Sequence, residues 1–114
     1  MKKEDPELLQ LIKRLEGKAV IVEGKKDRRA LEELGVTNIF SLNSPLFSVV
    51  EEVAAKFGEA AVLTDLDREG KQLYGKLSKD LKKSGVKVDD SLRNFLFKKT
   101  KLRQIEGLLS LAEQ

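Results

Sequence analysis

The 114-residue sequence contains no cysteine, no histidine and no tryptophan, and only two prolines. Without cysteine there is no disulfide scaffold and no thiolate zinc site. Without histidine there is no Ser/His or Cys/His nucleophilic machinery and no imidazole ligand. Any metal must therefore be held by oxygen, which selects Mg²⁺, Mn²⁺ or Ca²⁺. Long apolar runs are also missing: none approaches the roughly 20 residues of a membrane span. Met1-Lys2-Lys3-Glu4-Asp5 leads into no signal-type stretch, so a cytoplasmic protein with no membrane partner is expected. Aromatics are scarce. The five phenylalanines and one tyrosine are expected in the core, which leaves few platforms for base stacking and little base readout.

What is present describes one domain, residues 1–114, 40% hydrophobic and 36% charged. A chain of this size buries roughly two thirds of the surface it exposes when unfolded, enough for a core without staples. The net charge of +3 is small but unevenly spread. From Lys71 to Arg103 there are eleven basic residues against three acidic ones, a local charge of +8, which leaves −5 for the remainder. An acidic front half and a basic back half suit a metal site beside a polyanion-binding surface. A solvated helix face is the plainer reading of the same lysines. Abundant Lys and Glu without cysteine also fit a thermophile's protein.

Asp5-Pro6 has the form of a cap followed by proline at the first helical position, and Leu8, Leu9, Ile12 and Leu15 recur at helical spacing, predicting a helix over 6–16 that Gly17 ends. Ala19-Val20-Ile21-Val22 is continuously apolar, as in a strand buried on both faces, and runs into Glu23-Gly24. Residues 26–34 read as a helix closed by Gly35, and residues 36–42 as a second strand. Ser44-Pro45 repeats the cap-and-proline signal before the stripe Leu46, Val49, Val50, Val53, Ala54 and Phe57. Ala60-Ala61-Val62-Leu63-Thr64 is a third strand, leading directly into Asp65-Leu66-Asp67-Arg68-Glu69-Gly70. A helix over 69–83, a candidate short strand at Val86-Lys87-Val88, and two helices within 89–112 complete the chain. Strands alternating with helices imply βαβ units, hence an α/β fold with a mostly parallel sheet of about four strands.

In open parallel sheets functional groups gather just beyond the carboxyl ends of the strands. Glu23 ends the first strand, and Asp65 and Asp67 follow the third. Residues two apart in an extended segment point the same way, so Asp65 and Asp67 can face one ion together. Aspartate is also a favoured helix cap, and capping alone would account for either residue. The convergence of three carboxylates at two strand ends shifts the balance toward chemistry.

An apolar strand ending Val22-Glu23-Gly24-Lys25 with Asp27 shortly after, and a later one ending Thr64-Asp65-Leu66-Asp67-Arg68-Glu69-Gly70, resemble the two signature motifs of the Toprim domain. That domain is shared by type IA and type II topoisomerases, bacterial primases, certain nucleases and recombination proteins. The resemblance covers a core of about 18–88 and implies a three-layer α/β/α Toprim-like fold with helical extensions at both ends. The second motif is similar to the type IA topoisomerase form; the first is similar to primases and to the small nuclease that trims precursor ribosomal RNA, and Asn43-Ser44 is also similar to that nuclease.

The resemblance implies Glu23 as general acid/base, Asp65 and Asp67 as ligands of Mg²⁺ (or Mn²⁺), and Lys25 and Arg68 as catalytic phosphate contacts. Leu66 stands where proline is common, and Lys71 where many members have another glutamate, so a third acidic ligand must come from Glu69 or be missing. Tyr74, the only tyrosine, lies one helical turn past the acidic motif and reads as packing rather than as a covalent nucleophile. No cysteine or histidine is present to build the primases' zinc module. The expectation is therefore a stand-alone Toprim protein acting on RNA or DNA as a Mg²⁺-dependent, nuclease-like phosphodiesterase, with Lys25, Lys26, Arg28, Arg68, Lys79 and Lys83 gripping the backbone. The alternatives are a non-catalytic nucleic-acid-binding or assembly module, or primase-like nucleotidyl transfer.

Overall fold

A computed structural model describes residues 5–113. Met1 to Glu4, read as leading into no signal-type stretch, lie outside the described residues. The elements run α1 (Pro6–Lys13), β1 (Ala19–Val22), α2 (Lys25–Glu33), β2 (Ile39–Ser41), α3 (Leu46–Lys56), β3 (Glu59–Val62), α4 (Arg68–Lys83), β4 (Lys87–Val88), α5 (Ser91–Lys99), a 3₁₀ turn (Ile105–Gly107) and α6 (Leu108–Ala112).

The continuous apolar runs form a four-stranded parallel sheet in the order β2-β1-β3-β4. Alternate side chains of one strand point to opposite faces, and here both faces are covered. Val20, Val22, Ala61 and Leu63 meet Leu8 and Ile12 of α1, Leu31 of α2, Leu92 and Leu96 of α5, and Leu108 of α6. Ala19, Ile21, Ala60 and Val62 meet Val49, Val50 and Val53 of α3 and Leu77 and Leu81 of α4. The fold is the expected α/β/α sandwich. Among the described residues no helix is long and apolar enough to cross a membrane.

Local chemistry sets the element ends. Asp5 caps α1, its carboxylate accepting from the N–H groups of Glu7 at 3.0 Å and Leu8 at 3.2 Å. The helix expected over 6–16 stops at Lys13, because Leu15 and Glu16 donate to carbonyls three residues back and tighten the last turn. Leu15 stays buried in that turn, which is why the apolar spacing runs on past the helix. Ser44 does not cap α3: Pro45 occupies the cap position in an extended conformation, with no side-chain bond. The second of the two helices expected within 89–112 is broken into the 3₁₀ turn and the short α6. Residues 100–104 stay non-helical because neighbouring backbone groups are used elsewhere, the Arg103 carbonyl by Leu66 and the Ile105 N–H by Asp65.

Lys18, just before β1, ties the sheet to the start of α5. Its Nζ lies 2.5 Å from Asp89 Oδ2 and 3.5 Å from Glu59, while Asp89 Oδ1 accepts from the Ser91 N–H at 3.0 Å. Burial would raise the Asp89 pKa, but the hydrogen bonds from Lys18 and Ser91 outweigh it and hold the carboxyl well below the usual carboxylate range. A depressed folded pKa stabilises the fold above the unfolded value of 3.8, and that contribution is lost as pH falls through the folded value. Asp89→Asn should cost about 2 kcal/mol in urea unfolding at pH 7, between the ranges for exposed and buried pairs. Its stability should also fall less steeply than the wild type's as the solution is acidified below 3.8.

Candidate acidic site at the switch point of the sheet

The chain leaves β1 to form β2 on one side and later returns as β3 on the other, so a crevice opens beyond the carboxyl ends of β1 and β3. Glu23 follows β1 directly, and its Oε2 accepts from the Asp65 N–H at 2.8 Å. Asp65 Oδ1 accepts from the Ile105 N–H at 2.8 Å. Asp67 is the cap of α4, and its Oδ1 accepts from the Gly70 N–H at 2.8 Å. Each of the three carboxylates therefore uses one oxygen to fix its own position, and no protein donor reaches the other oxygen among the described residues.

Asp27, for which sequence reading gave no role, is 7% exposed beside this cluster, with Oδ2 accepting from the Gly24 N–H at 3.0 Å. Burial pushes the Glu23 pKa up; the Asp65 N–H opposes this, and the charges of Asp65, Asp67 and Asp27 add to it. Burial likewise raises the Asp27 pKa, helped by the charges of Asp65 and Glu106. Among the described residues no three acidic side chains close around one point. The donor set still fits Mg²⁺, which is commonly bound through one or two carboxylates and completes its shell with water and substrate phosphate. Glu69 is exposed in the first turn of α4.

The turn that carries Asp65 and Asp67 is held from behind by Arg93 of α5, 7% exposed. Its Nη1 donates to the carbonyls of Thr64 at 2.6 Å and Val62 at 3.3 Å, and its Nη2 to those of Asp65 at 3.1 Å and Gly70 at 3.5 Å. Burial lowers the Arg93 pKa, while the charges of Tyr74, Asp90, Glu23 and Asp65 raise it. In the sequence Arg93 is one of eleven basic residues in a segment, and its only sign of burial is a place between Leu92 and the pair Phe95-Leu96. Tyr74 packs as expected, half-buried with its ring 4.6 Å from the Arg93 guanidinium carbon.

The basic residues divide. Lys25 and Arg68 are the first residues of α2 and α4, exposed at two helix N-termini beside the carboxylates, where backbone N–H groups favour anions. Lys26 is exposed next to Lys25. Arg28 is instead tied to β2, donating to Ser41 Oγ at 3.0 Å and to the Ile39 carbonyl at 2.6 Å. Lys79 and Lys83 are exposed but lie about 17 and about 23 Å along α4 from Arg68, at 1.5 Å per residue. The structure therefore gathers Glu23, Asp65, Asp67, Lys25 and Arg68 at one edge and leaves Lys79 and Lys83 toward the other end of α4. The expectation that the aromatics are core is corrected at two positions: Phe47 is 65% and Phe97 41% exposed.

The model of the Toprim domain matches residues 18–103. The chain belongs to the Toprim family. It is similar to the UPF0292 protein of Methanocaldococcus jannaschii, 35% identical over 112 residues that cover 90% of this chain and 88% of that one. The UPF0292 protein of Pyrococcus horikoshii is 37% identical over 107 residues, 91% of this chain and 80% of that one. A solved structure of a protein from Aquifex aeolicus aligns with a TM-score of 0.80 at 31% identity, covering 88% of this chain and 93% of that chain. Toprim domains in general carry out metal-dependent nucleic-acid chemistry and bind Mg²⁺. The Toprim match runs past Val88 through α5 to Arg103, the stretch that supplies Arg93 and the Arg103 carbonyl. Leu66, where proline is common in Toprim motifs, donates its N–H to that carbonyl at 2.7 Å, a bond that proline cannot make.

Two outcomes follow from this packing. A Cβ built on Gly70 would lie 1.9 Å from the Asp65 carbonyl oxygen, a backbone atom that cannot rotate away. Gly70→Ala should therefore destabilise the protein by about 2 kcal/mol or more in urea unfolding, despite alanine's better helix propensity. Glu23 has a raised folded pKa, so its stabilising balance is complete below the unfolded value of 4.5 and is lost as pH rises through the folded value. Glu23→Gln, which can still accept from Asp65, should raise the melting temperature at pH 7, with the gain vanishing below 4.5.

Proposed function

We propose that the protein hydrolyses phosphodiester bonds in RNA or DNA at this acidic edge. The observation that carries the reading is the hydrogen bond from the Asp65 N–H to Glu23, which holds a carboxyl of raised pKa beside the aspartate pair. Such a carboxyl holds a proton more readily than an ordinary glutamate and is suited to take one from water or give one to a leaving oxygen. Water attacks phosphorus, the bond from phosphorus to the leaving sugar oxygen breaks, and Glu23 moves the proton. Asp65 and Asp67 would hold Mg²⁺ or Mn²⁺, with water in place of a third carboxylate from Glu69, and the ion would supply charge neutralisation at the scissile phosphate. Lys25 and Arg68 bind the phosphate oxygens at the N-termini of α2 and α4, and Lys26, Lys79 and Lys83 hold the flanking backbone.

A second reading, binding without cleavage, draws on Lys71, a cation in place of a further acidic ligand. One experiment separates the two. Purified protein is incubated with structured RNA, single-stranded DNA and duplex DNA, with Mg²⁺ or Mn²⁺ and with chelator. Cleavage that requires the metal and drops by about 10²- to 10⁴-fold in Glu23→Gln supports hydrolysis. Binding to any of these polymers without cleavage supports the second reading. In the same preparations Mg²⁺ should stabilise the fold by about 2.7 kcal/mol at a hundredfold excess over its dissociation constant, and by less in Asp65→Asn.

A further inference from the structure

Two phenylalanines are exposed, and an isolated exposed aromatic is ordinary. Phe97, on the last turn of α5, is distinguished by its neighbours. Lys71 Nζ lies 4.3 Å and the Arg103 guanidinium carbon 4.8 Å from its ring centroid. Phe47, although more exposed, has no cation over its ring among the described residues.

Both cations are attached to the turn that carries the acidic pair. The Lys71 N–H donates to the Asp67 carbonyl at 2.9 Å, one helical turn away. The Arg103 carbonyl accepts from Leu66, the residue between Asp65 and Asp67, at 2.7 Å. The Arg103 side chain also donates to the carbonyls of Leu102 at 2.7 Å and Thr100 at 3.3 Å, which restrains its position. Arg103 also lines an open groove that reaches Asp67, together with Lys101, Gln104 and Glu106.

We infer that Phe97 is a stacking platform for one unpaired nucleobase, with Lys71 and Arg103 as clamps on the adjoining phosphates. The inference rests on the reading of the acidic edge as a nucleic-acid site and names the form of the polymer it takes: a strand that is single-stranded at the edge. The chemistry is an exchange. An exposed cation over a ring is weakly held and has a phosphate as a stronger partner, so Lys71 moves to the backbone and uncovers the ring for a base, while Arg103, held by the Leu102 and Thr100 carbonyls, meets the adjoining phosphate in place. Every base has a π-face, so the contact is tolerant of sequence. A duplex hides those faces in its own stack, whereas lipid headgroups and acidic peptides offer anions without the planar ring.

The test is fluorescence anisotropy in chelator, using a labelled oligothymidylate and a duplex of equal length. Phe97→Leu keeps the apolar bulk and removes the π-system. It should weaken single-strand binding by roughly 5- to 100-fold, leave duplex binding within about twofold, and leave the salt dependence unchanged. Phe97→Trp should restore the affinity. Because the chain has no tryptophan, that variant also carries its only indole, whose fluorescence should be quenched as the strand binds. Lys71→Gln should lower the slope of log affinity against log salt on the single strand by about 0.7, and Phe47→Leu should change nothing. Unchanged single-strand affinity in Phe97→Leu, equal losses on strand and duplex, or no single-strand binding by the wild type each overturn the platform. Cleavage by the wild type that persists when Phe97→Leu has no effect overturns the platform alone; binding that depends on Phe97 without cleavage by the wild type overturns the hydrolase reading alone.

Discussion

The buried guanidinium of Arg93 donates to carbonyls on both sides of the turn between β3 and α4, and the acidic edge is built around that clamp. Sheet hydrogen bonding ends near Leu63, whose N–H reaches the Ile21 carbonyl at 2.7 Å, and the carbonyls beyond it need donors. Arg93 provides several from one planar group, which fixes the path of the backbone from Val62 to Gly70. The same group is a positive charge behind Glu23 and Asp65, so it supports geometrically and electrostatically the carboxylates that repel one another in front. Gly70 completes the arrangement by letting α4 approach the Asp65 carbonyl more closely than any side chain would allow.

This arrangement concentrates unfavourable terms where the chemistry is proposed. Burial and like charge raise the pKa values of Glu23 and Asp27, so keeping them ionised together costs stability. The cost is offset elsewhere in the molecule. Val20, Ile21, Val22, Leu63, Leu77, Leu81 and Leu96 are all fully buried, and Lys18 and Asp89 are paired far from the acidic edge. A stable two-faced sheet can tolerate a strained edge.

Much of this was legible in the sequence. Continuous rather than alternating apolarity at 19–22 and 60–63 marks strands covered on both faces, and a carboxylate at the end of each is visible without coordinates. The hydrogen bond from Asp65 to Glu23 is a consequence of β1 and β3 lying side by side. What escaped depends on contacts distant in sequence. Arg93 reads as one more cation in a basic segment, and nothing near it announces that carbonyls thirty residues earlier will need its protons. Leu102 shares a helical stripe with Ile105, Leu108 and Leu109 and looks helical until the bonds of Arg103 and Ile105 to Leu66 and Asp65 are known. The lysines at 79 and 83 share a face with one another but not with the acidic edge, because a helix of sixteen residues separates its two ends by more than 20 Å. Phe97 lies off the stripe of Leu92, Phe95 and Leu96, roughly 200° round the helix from Phe95, so its exposure follows from helical spacing where residue type alone pointed to the core.

The bonds that align the carboxylates join residues far apart in the chain: 42 positions from Glu23 to Asp65 and 40 from Asp65 to Ile105. Contacts of that span carry a large loop-closure entropy and form late in folding. The acidic edge therefore cannot be aligned until the stretch from Glu23 to Ile105 folds as one unit. A fragment that stops short of Ile105 would carry all three carboxylates of the edge yet leave Asp65 without the bond that positions its side chain.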